Sequence, residues 1–500
     1  MRLTTNDRYL SLLLQTLETR ILPQLPSAAA RETAGTMQTC LLELLRRERR
    51  TTGVLHEAIL EGERIEKAML ELLRARGGEY SSSTLERARD VPSSFDNAAR
   101  QFNELVDALT RLAAALSHRR TGATDAPVAS LLRQAAQWEQ RTHTKLAKPA
   151  EGDRDGNPPD VNPLPQPVLE AFIHQHHPDG DRAKLVSMER ATVGLGKQTF
   201  LIEVEDAKGV RQPLVVRKMD GGAPLIEFKN FELEHEFELL RAVARTGFPS
   251  PTPMWLGMDV SGADGNFYVM NRLPGKVMGT WINSAEKFPE SELLHIAELM
   301  ARLHRIGLDQ FRDYIARFES PSLLQDTNEA CYRRTITEWR EYGTGPDHLS
   351  SPSIIFATDW LSANLPHDTR RPVLIHGDFN IHNLLAEHER VTGVLDWECA
   401  MFGAPEQDLA WARPNVSKHM SFDKFLAHYE ASGGRPVRRE WLDYYHAFSS
   451  MRQNVIISRG VRNIQDARST DIRHTLLQIL FTPEVLKQSL LSAGETTSKN

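Results

Sequence analysis

Six prolines and two glycines crowd the segment KPAEGDRDGNPPDVNPLPQP, from Lys148 to Pro167, and this constrains the fold more than any other feature. Proline lacks the backbone N–H and fixes φ, so neither a helix interior nor a central strand can cross such a segment. Pro-rich segments of this kind act as semi-rigid spacers. At 500 residues the chain is in any case too long for one ordinary core. We therefore expect an N-terminal domain over 1–147, a linker over 148–167, and two lobes beyond it, 168–273 and 274–490.

The N-terminal part reads as all-helical. Leu41, Leu42, Leu44 and Leu45, then Val54, Leu55 and Ile59, then Ile65, Met69, Leu72 and Leu73 recur at helical spacing, with charges between them. Further apolar sets run through Phe102, Leu105, Leu109, Leu112 and Leu116, and through Val128, Leu131, Leu132 and Ala135. Breaks fall at Gly77-Gly78, Pro92 and Gly122. Three to five antiparallel helices would bury these faces. No catalytic constellation occurs among them; the leucine-rich faces read as bundle core and would also suit a homodimer or a docking partner.

Bulk properties exclude several classes. The net charge is -6, from 60 basic and 66 acidic residues, which lacks the basic excess of a nucleic-acid binder. No stretch approaches the roughly 20 apolar residues of a membrane span. The opening MRLTTNDRYLSLLLQTLETRIL carries Asp7 and Glu18 around its apolar run and reads as an amphipathic helix, not a signal peptide. Cys40, Cys331 and Cys399 are scattered without C-x-x-C spacing, which fits a reducing compartment. The expectation is a soluble, cytoplasmic protein.

Beyond the linker the periodicity changes. Thr199–Glu205 (TFLIEVE) alternates as a strand, Pro213–Lys218 (PLVVRK) follows as its hairpin partner, and Phe267–Met270 is a further strand. A helix is expected over Leu225–Arg245, ended by Gly247 and Pro249. Helices dominate after Ser291 except between Val373 and Asp396. A small sheet-rich lobe before a larger helical one is an α+β plan, with a cleft as the natural ligand site.

The chemistry concentrates in VLIHGDFNIHNLLAEHERVTGVLDWE, Val373–Glu398. A short strand delivers His376-Gly377-Asp378 to a loop, Asn383 follows five positions later, and a hairpin turning at Glu387–Arg390 would return Asp396 beside Asn383. Phosphoryl transfer requires an oriented hydroxyl and cations to spread the phosphate charge. Asn383 and Asp396 offer oxygens of the kind Mg²⁺ prefers, and Asp378 could accept or orient the hydroxyl proton. His376 reads as a packing and hydrogen-bonding residue, and Cys399 as an inert small hydrophobe. Glu398 is open between a second metal ligand and a solvated strand-end charge. Arg452, Arg459 and Arg462 are open between a grip on an anionic substrate tail and an exposed helix face.

These residues resemble the aminoglycoside phosphotransferase and choline kinase superfamily, marked by H-G-D-x-x-x-x-N and a later strand-borne Asp. The branch most similar is the kinase-like domain of some acyl-CoA dehydrogenase fusions, whose motifs look like Val215-Val216-Arg217, His235-Glu236-Phe237 and Phe267-Tyr268-Val269-Met270 here. The resemblance implies a bilobal protein-kinase-like fold preceded by the helical bundle, with ATP and Mg²⁺ as cofactors and a small-molecule hydroxyl as substrate. It further implies that Arg217 contacts the α/β-phosphates and that Glu236 pairs with it. Gly194 and Gly196 would lie in the loop over the phosphates, Met270 and Asn271 in the adenine hinge, and Asp408 beneath the catalytic loop. Amino sugars, amino alcohols and hydroxyacyl-CoAs are the acceptor classes it suggests. Two rivals stand beside it: a catalytically silent nucleotide-binding scaffold whose helical domain binds a partner, and a protein kinase. The absence of an A-P-E segment after Asp396 argues against the second.

Overall fold

The computed structural model describes residues 10–11, 13–15, 17–22, 25, 28–46, 51–78, 95–119, 125–146, 164–191, 197–219, 228, 231–279, 288–466, 468, 481–482 and 485–488. In chain order the helices before the sheet are α1 (Ala28–Arg46), α2 (Thr52–Ala75), α3 (Phe95–His118), α4 (Ala126–Leu146) and α5 (Gln166–His176). Strands β1 (Lys184–Arg190), β2 (Lys197–Glu205) and β3 (Arg211–Met219) lead to α6 (Leu233–Arg245). Then come β4 (Pro253–Gly257), β5 (Phe267–Asn271) and β6 (Lys276–Val277). Helices α7 (Glu290–Leu303), α8 (Arg312–Phe318), α9 (Asn328–Gly343) and α10 (Pro352–Ala363) follow. A strand cluster, β7 (Val373–Ile375), β8 (Leu384–Glu387), β9 (Arg390–Val394) and β10 (Met401–Gly403), precedes α11 (Glu406–Val416), α12 (Phe422–Ala431) and α13 (Leu442–Gln465).

These elements form two compact units. The first comprises residues 1–160, 336–364 and 450–500, and the second 161–335 and 365–449. The break at 160 lies within the proline-rich run. The first unit also takes in 336–364 and 450–500, whereas the expected limits put 336–364 and 450–490 in the helical lobe. Packing gives the reason: Ile355 and Phe356 of α10 join the same buried cluster as Leu105, Leu109 and Trp138 of the N-terminal helices. Such a core cannot be read from local periodicity, because its members are far apart in sequence. Within it Trp138 Nε1 donates to Ala58 O at 2.7 Å, so the ring is pinned as well as buried. Arg452 and Arg459, two of the three arginines left open above, are almost fully buried rather than lying on an exposed face.

The second unit is built on a five-stranded antiparallel sheet of order β1-β2-β3-β5-β4. Alternation in TFLIEVE does what period two demands. Phe200, Ile202 and Val204 face one side with Leu214, Val216, Phe267 and Val269, and α5 covers them with Leu169, Phe172 and Ile173. The last prolines of the linker open α5, with Pro165 at its N-cap and Pro167 in its first turn, where a missing N–H costs nothing. The helix expected from Leu225 is described from Leu233 onward, ending at Arg245 as expected. Among the described residues no helix is long and apolar enough to cross a membrane.

Candidate active site

The sheet face opposite that apolar core carries the charges. Thr199 pairs with Arg217, and Arg217 with Tyr268, so Lys197, Arg217 and Tyr268 fall on one face by the same alternation. Glu236 comes up from the first turns of α6 and is buried. Lys197 Nζ lies 2.5 Å from Glu236 Oε2 and 2.8 Å from Glu398 Oε2. Tyr268 Oη donates to Glu236 Oε1 at 3.1 Å. Arg217 Nε stands 4.0 Å from Glu236 Oε1, and its guanidinium donates instead to Asp396. The Arg217–Glu236 clamp expected from the resemblance is thus the longer contact, and Lys197 is the close partner of Glu236. Burial works against the Lys197 charge, but Glu236 and Glu398 outweigh it and raise its pKa, so the ammonium is retained.

The loop around Asp378 is held from below. β7 is wholly buried and pairs antiparallel with β10. Asp408, buried at the start of α11, accepts from the backbone N–H groups of His376 and Gly377, each at 2.8 Å, and lies 3.2 Å from His304 Nε2. Gly377 has φ of 75°, in the left-handed region that glycine enters without strain. His376 Nε2 is 2.8 Å from Leu395 O while its Nδ1 accepts from Asp378 N at 3.3 Å. That pattern requires the proton on Nε2, and burial lowers the ring's pKa, so His376 is a neutral tie between loop and hairpin.

Asp378 itself is fully oriented. Its Oδ1 accepts from Trp411 Nε1 at 2.6 Å; its Oδ2 accepts from Asn383 Nδ2 at 2.9 Å and lies 3.1 Å from His382 Nε2. Burial alone would raise its pKa, but His382 and the Trp411 hydrogen bond hold it below the usual carboxylate range. Burial opposes the His382 charge as well, yet Asp378 raises that pKa, with Asp396 adding to it.

The hairpin performs the return expected of it. His388 and Glu389, both at positive φ, turn the chain between β8 and β9, and Leu384 pairs with Val394. Leu395 N then donates to Asn383 O at 2.8 Å, which stitches the residue before Asp396 onto Asn383. Asp396 has φ of 64°, an uncommon conformation for a non-glycine residue and one that concentrates at functional positions. Burial, with Glu398 and Glu236 nearby, pushes its carboxyl up to about 7 despite Arg217 and Lys197.

Of the remaining expected residues, Met270 ends the buried run of β5, and Asn271 Oδ1 accepts from Thr252 N at 2.5 Å. Gly194 and Gly196 lie outside the described residues. Sequence reasoning missed Lys197; extending the TFLIEVE alternation by two residues would have put it on the Arg217 face. It also missed His382 and Trp411, the latter invisible without the fold because 33 residues separate it from Asp378.

Carboxylates exceed basic groups on this face, while among the described residues no group of three His, Cys, Asp or Glu side chains is arranged to hold a metal ion. Glu236, Asp396 and Glu398 outnumber the cations bonded to them, Lys197 and Arg217. Asn383 commits its amide nitrogen to Asp378, and its Oδ1 has no donor among the described residues.

A sheet face bearing a buried Lys–Glu pair, a braced H-G-D-x-x-x-x-N loop and a hairpin-returned Asp define a kinase-like phosphotransferase domain. The chain belongs to the phosphotransferase enzyme family, whose model matches residues 188–444. Rat acyl-CoA dehydrogenase family member 11 is 27% identical over 297 residues, covering 55% of this chain and 34% of that protein. The chicken protein of the same description is 31% identical over 234 residues, covering 46% and 28%. Viomycin phosphotransferase of Streptomyces vinaceus is 27% identical over 186 residues, covering 35% and 59%. The chain thus spans about a third of the length of the acyl-CoA dehydrogenase relatives it matches. Among solved structures, macrolide 2'-phosphotransferase from Brachybacterium faecium is 16% identical with a TM-score of 0.41, covering 63% of this chain and 96% of that one.

Proposed function

We propose that the chain transfers the γ-phosphoryl group of ATP to the hydroxyl of a small molecule. The observation that carries this reading is the state of Asp378: ionised, bonded on both oxygens, and braced through Asp408. In the step, the acceptor oxygen forms a bond to the γ-phosphorus as the bond to the β-bridging oxygen breaks. The hydroxyl proton passes to Asp378, and ADP leaves. Lys197 and Arg217 supply fixed positive charge to the donor phosphates, where Arg217 presents a planar fork able to grip two oxygens. Asn383 and Asp396 would hold Mg²⁺, which supplies charge neutralisation at the phosphates when bound.

The acceptor classes to test are amino sugars, amino alcohols and hydroxyacyl-CoAs. The last is motivated by the acyl-CoA dehydrogenase relatives and the first by viomycin phosphotransferase. One observation favours a second reading: Asp396 is already bonded to Arg217. In that reading the domain binds nucleotide without transfer, and the helical region binds a partner. A coupled ADP-release screen with Mg-ATP separates the two. Acceptor-dependent ADP release that Asp378→Ala and Asp396→Ala both abolish supports transfer; nucleotide binding with release at the variants' rate for every acceptor supports the scaffold.

A further inference from the structure

The first unit carries a solvent-open cavity of about 250 Å³ between α3, α4, residues 349–351 and the part of α13 beyond Ser450, and the phosphotransfer reading makes no use of it. Phe102, Val106 and Ile457 contribute apolar lining. Its polar lining is unbalanced. Glu139 is 5% exposed, and its Oε2 accepts from Ser353 Oγ at 2.6 Å, Ser353 N at 3.0 Å and Ser351 Oγ at 3.0 Å. Its Oε1 has no donor and its charge no cation among the described residues, and burial accordingly raises its pKa. Asp107, on the same lining, likewise has no ion-pair partner among the described residues. The basic groups of the lining do not compensate. Burial pushes His143 down to about 4, which leaves it neutral, and Arg462 bonds Asp466 through Nε at 2.9 Å. Asn454 also lines the cavity; it is 5% exposed and its Nδ2 has no acceptor.

A buried carboxyl with one free oxygen, a partly buried second carboxylate and an unpaired amide donor together leave negative charge and hydrogen-bonding capacity that a ligand can take up. Water can satisfy the hydrogen bonds but brings no charge. We propose that this cavity binds a small organic ammonium compound that carries an acceptor oxygen. The ammonium pairs with Glu139 Oε1 and Asp107, the oxygen accepts from Asn454 Nδ2, and the carbon skeleton packs on Phe102, Val106 and Ile457. The volume lies just below the roughly 300–1,000 Å³ of drug-sized pockets, which restricts the ligand to a small one.

The test uses three near-isosteres that differ in charge, titrated calorimetrically into the full chain: tyramine, its neutral alcohol analogue tyrosol, and the anion 4-hydroxyphenylacetate. Tyramine is expected to bind with a Kd below roughly 1 mM, and the other two at least about tenfold more weakly. Asp107→Asn should weaken tyramine by about tenfold, and Glu139→Gln should do likewise. Asp107 makes no bond that the fold needs, so its variant keeps the test valid if the Glu139 variant fails to fold. Tyramine binding should be unchanged in Asp378→Asn, which separates this cavity from the phosphotransfer site. No tyramine binding, equal binding of all three compounds, undiminished binding in Asp107→Asn, or loss in Asp378→Asn would each overturn the proposal.

Discussion

Lys197→Met isolates the contact that sequence reasoning did not foresee. The Lys197–Glu236 pair and the Arg141–Glu61 pair have the same length, 2.5 Å, and differ in environment. Side-chain exposure is 4% and 1% in the first pair, 46% and 46% in the second. Removing one partner of a buried pair strands the other charge and costs about 3–5 kcal/mol. Tyr268 keeps its bond to Glu236 and Arg217 remains at 4.0 Å, so we expect the low end, about 3 kcal/mol. Arg141→Met should cost no more than about 1 kcal/mol, because water already screens that pair. Two units make a single global unfolding free energy ill-defined. The assay is therefore urea-dependent hydrogen exchange read in peptides covering β2 and α6 for the first variant and α2 and α4 for the second. The double variant Lys197→Met/Glu236→Gln should recover about 1–3 kcal/mol of the loss, since the buried Glu236 charge is no longer stranded and only the more exposed Glu398 has lost its lysine. If Lys197→Met costs as little as Arg141→Met, or the double variant is worse than the single, burial is not what makes this pair strong.

Asp378→Ala should lower kcat on a verified acceptor by about 10²–10⁴ while leaving nucleotide binding intact, read by steady-state kinetics beside a nucleotide titration. Asp408→Ala should orphan the N–H groups of His376 and Gly377 at about 1–3 kcal/mol each, lowering both local stability and kcat; Asp408→Asn should recover part of each. His446 is buried, and burial together with Arg413 pushes its pKa down to about 4, against about 6.5 unfolded. The folded state then binds fewer protons than the unfolded one between those values. The His446 contribution is nil above pH 6.5 and a loss of up to about 3 kcal/mol as pH drops toward 4; His446→Gln should remove that share of the acid loss, leaving the share of other buried histidines such as His143, in denaturation measured across that range.

How much of the site could be read in advance follows from how far apart its parts lie along the chain. Asp378, Asn383 and Asp396 fall within one loop and one hairpin, and local rules suffice there. A two-residue turn closes the hairpin, a one-residue register shift between Leu385 and Ala386 moves the pairing on, and the shifted register joins Leu395 to Asn383, so the returning carboxylate follows. The alternation of β2 and β3 was equally legible, and it dictates which side chains share a face. What local rules do not contain is the choice among several charges on that face. Lys197 and Arg217 both reach toward Glu236, and which one wins depends on Asp396 and Glu398, which arrive from a hairpin about 180 residues later. Arg217 is drawn to Asp396, and that frees Glu236 for Lys197. The same limit explains the helical unit: periodicity identified α2, α3 and α4 but could not reveal that α10 completes their core. Both failures are of one kind. A pairing becomes predictable from sequence only when the chain between its members is short enough to fix their geometry, and the partner exchange on Glu236 is the case here where it is not.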